Sequence, residues 1–534
     1  MAAPGPRDVV ELLPKLHLAW SHEVPESVTQ LALSPDGRSI AVACVEDEVS
    51  VLDASTGAVA HALAGHEGGT NALAFADSRR LVTVGEDGRA AVWDASSGKL
   101  EWELKVEALD ADRTLDGTSV QALAVRPGGR AAAVASGRAV TEIALPPAEA
   151  GAASAAGGAG AGYAARRLKD VAYTVGALRY AEVGTPPRPR LLAAAHGGVT
   201  IFGFGSEEEE AAAAAAAAAG GGAEASKKKK KGKGGRSRGG KKKPAKKAEP
   251  SSSPFLPAGA LDLKYGGTAL AADGSGPFVV AGCSDSSLHI WLFKKQDGSG
   301  ADLDELQCGG YEGKVATCAF DDSGKYCLSS GGNQAIVWEF TPSMAGTAPT
   351  LLVGSEDPLT AVAFSPKLDD DDDDDEEDED DEEASSTPPF VVGGNRGGDL
   401  IVWDPSDPMP GARGMPDMCG PMAVAQGDGD AVVSVLWAPD CEAVFTGHRS
   451  GKVAKWTMPT REDLEAFMKA VEFTGRDEDD EDDEDEEDDE DEEDDEDSEE
   501  DSEEEEDDDD ENAKGDAKDE NAKGDAEAKP SGKN

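Results

Sequence analysis

Apolar and polar residues alternate in short runs along most of this chain, and the runs are cut by turn residues at regular intervals. The stretch from Gly65 to Asp94, GHEGGTNALAFADSRRLVTVGEDGRAAVWD, shows the pattern most clearly. An alternating strand carries Asn71, Leu73 and Phe75, and a second apolar run covers Leu81 to Val84. Glu86-Asp87-Gly88 then supplies a turn, and a third strand closes on Trp93-Asp94. Period-two alternation between turn signals predicts half-buried β-strands. Val28 to Gly57 repeats the design, with Ser34-Pro35-Asp36-Gly37 and Ser55-Thr56-Gly57 as turns.

Six further units follow the same plan, more worn. Unit starts fall at Val28, Thr70, Val120, Val171, Ala260, Val315, Leu359 and Val432. Several units close on a tryptophan strand, as in LHIWLF, AIVWEF, LIVWD and KVAKW. Ahead of them, Lys15 to Glu23 reads as a strand without a local partner, with Leu16, Leu18 and Trp20 on one face. The last unit lacks a fourth strand after Trp456, so this leading strand is expected to pair beside Val453 to Trp456. Thr460 to Phe473 reads as a helix with Thr460 as N-cap. Its apolar face is Leu464, Phe467, Met468 and Val471.

The Gly-His opening, the Trp-Asp close and the spacing between them resemble the WD40 repeat, whose unit is one four-stranded blade of a β-propeller. The resemblance implies an all-β fold of eight blades, with seven as the alternative, in a ring closed by the N-terminal strand. A single blade cannot bury both faces of its sheet, and a ring leaves no terminal blade exposed. The domain reading is a leader over 1–14, a propeller over 15–458, a short amphipathic helix over 459–475 and an acidic tail over 476–534. Low-complexity insertions are read at 148–162, 205–254 and 367–388, the second of them between blades. The resemblance also implies a buried hydrogen-bond network from His66, Thr83, Asp87 and Trp93. Asp87 lies six residues before Trp93, and Thr83 ten. The fifth unit keeps Asp285 and Trp291 but has Ala281 in the hydroxyl position. Gly397 and Ser450 stand at the aspartate position of the seventh and eighth units, and these units, with the fifth, are expected to be held by packing alone.

Composition adds disorder and charge to this picture. The formal net charge of −58 is concentrated in tracts: 33 acids lie in 477–511 and 15 in 369–383, against 13 bases in 227–247. The rest of the chain is still acidic, which argues against a broad basic face for nucleic acid. Charge-rich, glycine-rich segments of this kind do not pack a core. Seven scattered cysteines with no C-x-x-C pair point to buried strand residues in a reducing compartment. The N-terminus has no secretory pattern, and the longest uniform apolar run, Ala211 to Ala219, is too short to span a membrane.

No catalytic, cofactor or metal motif is found. GGNRGGD at 393–399 lacks the Lys-Ser/Thr of a phosphate loop. Neither His289 nor His448 has ligand spacing to a second donor. The basic run, through Lys227, Lys228, Lys229, Lys230, Lys231, Arg236, Arg238, Lys241, Lys242 and Lys243, contains no aromatic residue. It suits non-specific RNA phosphates or an import receptor. The acidic tail suits basic proteins such as histones or ribosomal proteins, and Ser498 and Ser502 sit in acidic contexts that favour phosphorylation. The expectation is a non-enzymatic scaffold that binds other proteins on propeller surfaces, within a multiprotein complex. The alternative is a nuclear chaperone or assembly factor for basic cargo, and a propeller enzyme is a remote third reading. Localisation is expected in nucleus or cytoplasm, the basic run favouring the nucleus, with no secretion, no membrane and no cofactor.

Overall fold

The computed structural model describes most of residues 13–463, together with Phe467. Segments 107–118, 147–162, 204–256, 294–302, 341–348 and 368–386, some shorter stretches, and everything from 468 onward lie outside the described residues. The charged tracts, Ser498 and Ser502 therefore fall outside the description. So does most of the helix expected over 460–473, of which Glu462, Asp463 and Phe467 are described as helical.

Among the described residues antiparallel strands dominate, gathered in seven sheets. One sheet has eight strands because two four-strand runs meet through a short parallel pairing, Glu182 with Ser275 and Val183 with Gly276. Another gains a fifth strand, Asp417–Cys419, alongside Thr350–Leu352. The basic unit throughout is thus an antiparallel run of four strands. The leading strands of the eight runs are Val28–Leu33, Thr70–Phe75, Ala122–Val125, Val175–Val183, Ala269–Gly276, Thr317–Phe320, Leu359–Phe364 and Val432–Trp437. The eighth run is completed from the other end of the chain, because His17–Glu23 pairs antiparallel with Lys452–Thr457.

Burial follows the runs. Second strands are the most buried, wholly so in Arg80–Gly85 and Phe278–Cys283, because both faces of each sheet are covered there. The apolar residues form eight clusters, each shared by two consecutive runs. One joins Leu31, Ile40 and Leu52 of the first run to Phe445 and Val453 of the eighth. Phe467 packs against the cluster between the sixth and seventh runs, which also holds Trp403 and Leu13.

Several details depart from the sequence reading. Ala260 does not open a unit: Pro257–Asp262 pairs with Gly198–Gly203 as the outer strand of the fourth run. The long insertion at 205–254 therefore lies inside a run and not between blades. Similarly, 148–162 separates the third run's Ala139–Ala144 from its outer strand Ala164–Arg167. A four-strand run tolerates this because its ladder fixes both ends of the connection, and closure entropy rises slowly with loop length. The leading strand also departs from a single face. A register shift between Leu18 and Trp20 leaves Leu18 exposed, while Leu16 is buried against the seventh run and donates its N–H to Val424 O at 3.0 Å. The bulge there re-aims successive side chains.

Candidate functional site

The second run holds the four residues singled out from the sequence, and local structure explains how each is placed. Thr83 lies mid-strand in Arg80–Gly85 and Trp93 near the end of Arg89–Asp94; Asp87 sits in the turn between them, which Gly88 closes at a φ of 74°. His66 enters from the approach to Thr70–Phe75 and passes so close to the strand that a Cβ on Gly85 would lie 2.3 Å from His66 Cβ. Glycine alone fits there.

The hydrogen bonds form one chain. Trp93 Nε1–H donates to Thr83 Oγ1 at 2.9 Å, Thr83 Oγ1 is 2.8 Å from His66 Nε2, and His66 Nδ1 is 3.0 Å from Asp87 Oδ1. Indole is only a donor and carboxylate only an acceptor, so with a neutral imidazole the hydroxyl donates to Nε2 and Nδ1–H to Asp87. Asp87 is further held by the backbone N–H and Nε of Arg89, at 2.9 and 2.8 Å. Burial alone would raise its carboxyl, but the bonds from Arg89 and His66 outweigh that and hold it below the usual carboxylate range. Beside the network an open groove of about 520 Å³ is lined by Glu67, Arg89, Trp93, Leu100 and Glu103. Thr83 is fully buried and both imidazole nitrogens are occupied, so the hydroxyl and the imidazole of the network are engaged in holding one another. The arrangement braces two strands and a turn.

Other runs carry braces of different composition, which the sequence reading missed. In the eighth run His448 Nε2 lies 2.9 Å from Thr446 Oγ1, which accepts Trp456 Nε1–H at 3.0 Å. His448 Nδ1 lies 3.1 Å from Asp430 O, and the Asp430 carboxylate accepts the N–H of Ser450 at 2.9 Å. Here histidine comes from the strand itself and the acid from the preceding loop. In the sixth run Tyr311 takes the histidine's part, with its hydroxyl 2.7 Å from Ser329 Oγ, which accepts Trp338 Nε1–H at 2.9 Å. In the seventh run fully buried Asn395 donates to Ser355 Oγ and to Asp399 Oδ2, and Trp403 Nε1–H goes to Val353 O. The expectation that the seventh and eighth runs are held by packing alone is thereby overturned. A fixed motif spacing finds one brace, whereas the physical demand is only that buried polar atoms be partnered, and several residue sets meet it. The recurring signal was the tryptophan with a Thr, Ser or Asn on the strand before it.

In the fifth run the ring nitrogen His289 Nδ1 lies 3.1 Å from Glu305 Oε1. His289, Cys283 and Asp285, which the sequence gave no reason to join, bring donor atoms within 4.8 Å of one another. All seven cysteines are free thiols, and burial pushes Cys44 and Cys419 up to about 11 and Cys318 up to about 12.

Comparison with known proteins agrees with this architecture. Residues 15–78 match the family described as the anaphase-promoting complex subunit 4 WD40 domain. The match supports a WD40-repeat family for this chain, and its four-stranded antiparallel sheets are consistent with a WD40 β-propeller. Among solved structures it is similar to the crystal structure of a computationally designed protein, Ika8. The two share 16% identity at a TM-score of 0.52, over 84% of this chain and 100% of that one, a likeness of fold alone. No curated protein matches the sequence. WD40 domains serve in general as protein-interaction scaffolds and are typically non-enzymatic. Among the described residues no helix is long and apolar enough to cross a membrane.

Proposed function

We propose that the chain is a non-enzymatic scaffold: a closed ring of eight blades that docks other proteins within a multiprotein complex. The eight shared clusters support the ring, since the last of them joins the eighth run to the first. Polar contacts between leading strands run the same way. Leu73 N donates to Gln30 Oε1 at 3.1 Å, Phe320 N to Asp273 Oδ2 at 3.0 Å, and Leu31 N to Ser434 Oγ at 3.3 Å, the last again linking the eighth run to the first.

One observation carries the scaffold reading: the histidine, hydroxyl and aspartate of the second run are consumed in bracing, while the long connections within runs gather at one end. In an antiparallel run the first and third connections emerge at one end and the second at the other. The segments 147–162, 204–256, 294–302, 341–348 and 368–386 all belong to first or third connections. The opposite end bears the short turns of the second connections, the braces and the join 107–118 between the second and third runs, so one end is framed mainly for docking and the other for the tracts inserted within runs. The matched family is described as a subunit of a complex, which fits this reading. Affinity purification of the intact protein from its own cells, with crosslinking, tests it. Stoichiometric partners crosslinked to the short-turn end are expected; recovery of the chain alone counts against it.

A second reading rests on the charged tracts: the 33 acids of 477–511 hold basic nuclear cargo, and the 13 bases of 227–247 direct nuclear import. Binding of histones or ribosomal proteins that is lost on deletion of 477–534, and that weakens as salt rises, is the expected result. Unchanged binding without the tail removes this reading.

A further inference from the structure

The fifth run departs from the second at matching positions, and the departures converge. Counting back from Trp291 as from Trp93, Ala281 replaces Thr83 and Cys283 replaces Gly85, while Asp285 keeps the place of Asp87 and His289 replaces Ala91. The loss of the hydroxyl and the gain of a thiol and an imidazole leave a different donor set on the same hairpin. The hairpin is short: Ala281 pairs with His289 and Gly282 with Leu288. Cys283 N donates to Ser287 O at 3.0 Å, and Ser286 takes a left-handed φ of 63°, which keeps the turn tight. Asp285 is exposed at its tip, while Cys283 and His289 are buried.

We propose that Cys283, Asp285 and His289 form a binding site for a divalent cation of the zinc class. A thiolate, a carboxylate and an imidazole are the donors that borderline-soft ions take, and three protein ligands leave a fourth position for solvent. The donor atoms already lie within 4.8 Å of one another. An ion with bonds of about 2.0–2.3 Å draws them together by roughly an ångström. Asp285, on the solvent side, can supply that movement and gives the ion its way in. Glu305 stands behind the imidazole, 3.1 Å from Nδ1. With Nδ1–H donated to that carboxylate, Nε2 is the nitrogen with a lone pair to offer, the arrangement that metal-bound histidines commonly use. The site lies at the short-turn end of its run, opposite the long insertions.

Cobalt(II) tests the proposal, because thiolate ligation gives a charge-transfer absorption that carboxylates do not. The acidic tracts can therefore hold ions without contributing to the signal. The full chain, stripped with chelator and titrated with cobalt(II), is expected to show this band, saturating at about one ion per chain and bleached by zinc. The band should vanish in Cys283→Ser and persist in Cys318→Ser. Affinity should fall about tenfold or more in Asp285→Asn and in Glu305→Gln, with unchanged circular dichroism. Absence of the band in the unmodified chain, or its survival in Cys283→Ser, overturns the site. Should Cys283→Ser fail to fold, the exposed Asp285→Asn decides: unchanged cobalt affinity there overturns it as well.

Discussion

At the scale of single residues, Thr83 is the most consequential position, because its hydroxyl serves Trp93 and His66 at once. Thr83→Val keeps the shape and strands two buried polar groups, so a loss of about 1–3 kcal/mol is expected in denaturant unfolding. Partner binding should be unchanged, since the residue is fully buried. His448 gives a pH signature. Burial foremost, with Lys452 adding to it, holds its pKa below the ordinary histidine value, against the raising effect of Asp430 and Asp428. As pH falls below about 6.5 the unfolded chain takes up this proton before the folded one does. Stability from this group is therefore complete above that pH and declines on acidification. His448→Asn should flatten the acid side of a stability-against-pH curve measured by urea unfolding. The His66 network was legible in the sequence because its residues keep a fixed distance from Trp93. The Tyr311 and Asn395 braces were not, because a phenol or an amide meets the same demand from positions that no spacing rule covers.

At the scale of elements, six of the eight leading strands share an irregularity that no residue pattern announces. Their registers shift immediately after the first paired residue, between Val28 and Gln30, Thr70 and Ala72, Val175 and Ala177, Ala269 and Ala271, Leu359 and Ala361, and Val432 and Ser434. The skipped residue is turned out of the ladder and can reach sideways. Asn71 Nδ2 reaches Val120 O of the next run at 2.9 Å, and the Thr360 hydroxyl shares its proton between Gly394 O of its own run and Val432 O of the next. Thr360→Val should lower the melting temperature by calorimetry, through about 1–2 kcal/mol of lost bonding, with no change in secondary structure by circular dichroism. Strand identity and most boundaries were readable from alternation. Membership of a run was misread at Ala260, because an outer strand separated from its partner by a long insertion looks from sequence like the start of something new.

At the scale of the whole molecule, cores shared between neighbours make stability collective. Phe445 is buried in the cluster between the eighth and first runs and has Trp20 6.1 Å away, ring to ring. Phe445→Ala should remove about 3–5 kcal/mol. The calorimetric transition should move down as one peak and not split, because neither neighbouring run retains a complete core without the other. The pairing of His17–Glu23 with Lys452–Thr457 also sets an order of events in time. The leading strand is made first, and its partner residues are reached only after more than four hundred further residues, a separation of 440 between Thr457 and His17. At the usual pace of synthesis that interval is on the order of tens of seconds. Throughout it the nascent chain carries an unmatched strand at its front and an unfilled edge at its growing end. Pairing of the two strands is thus a late act of folding, and whatever guards the leading strand in the meantime governs how much of the chain reaches the paired form.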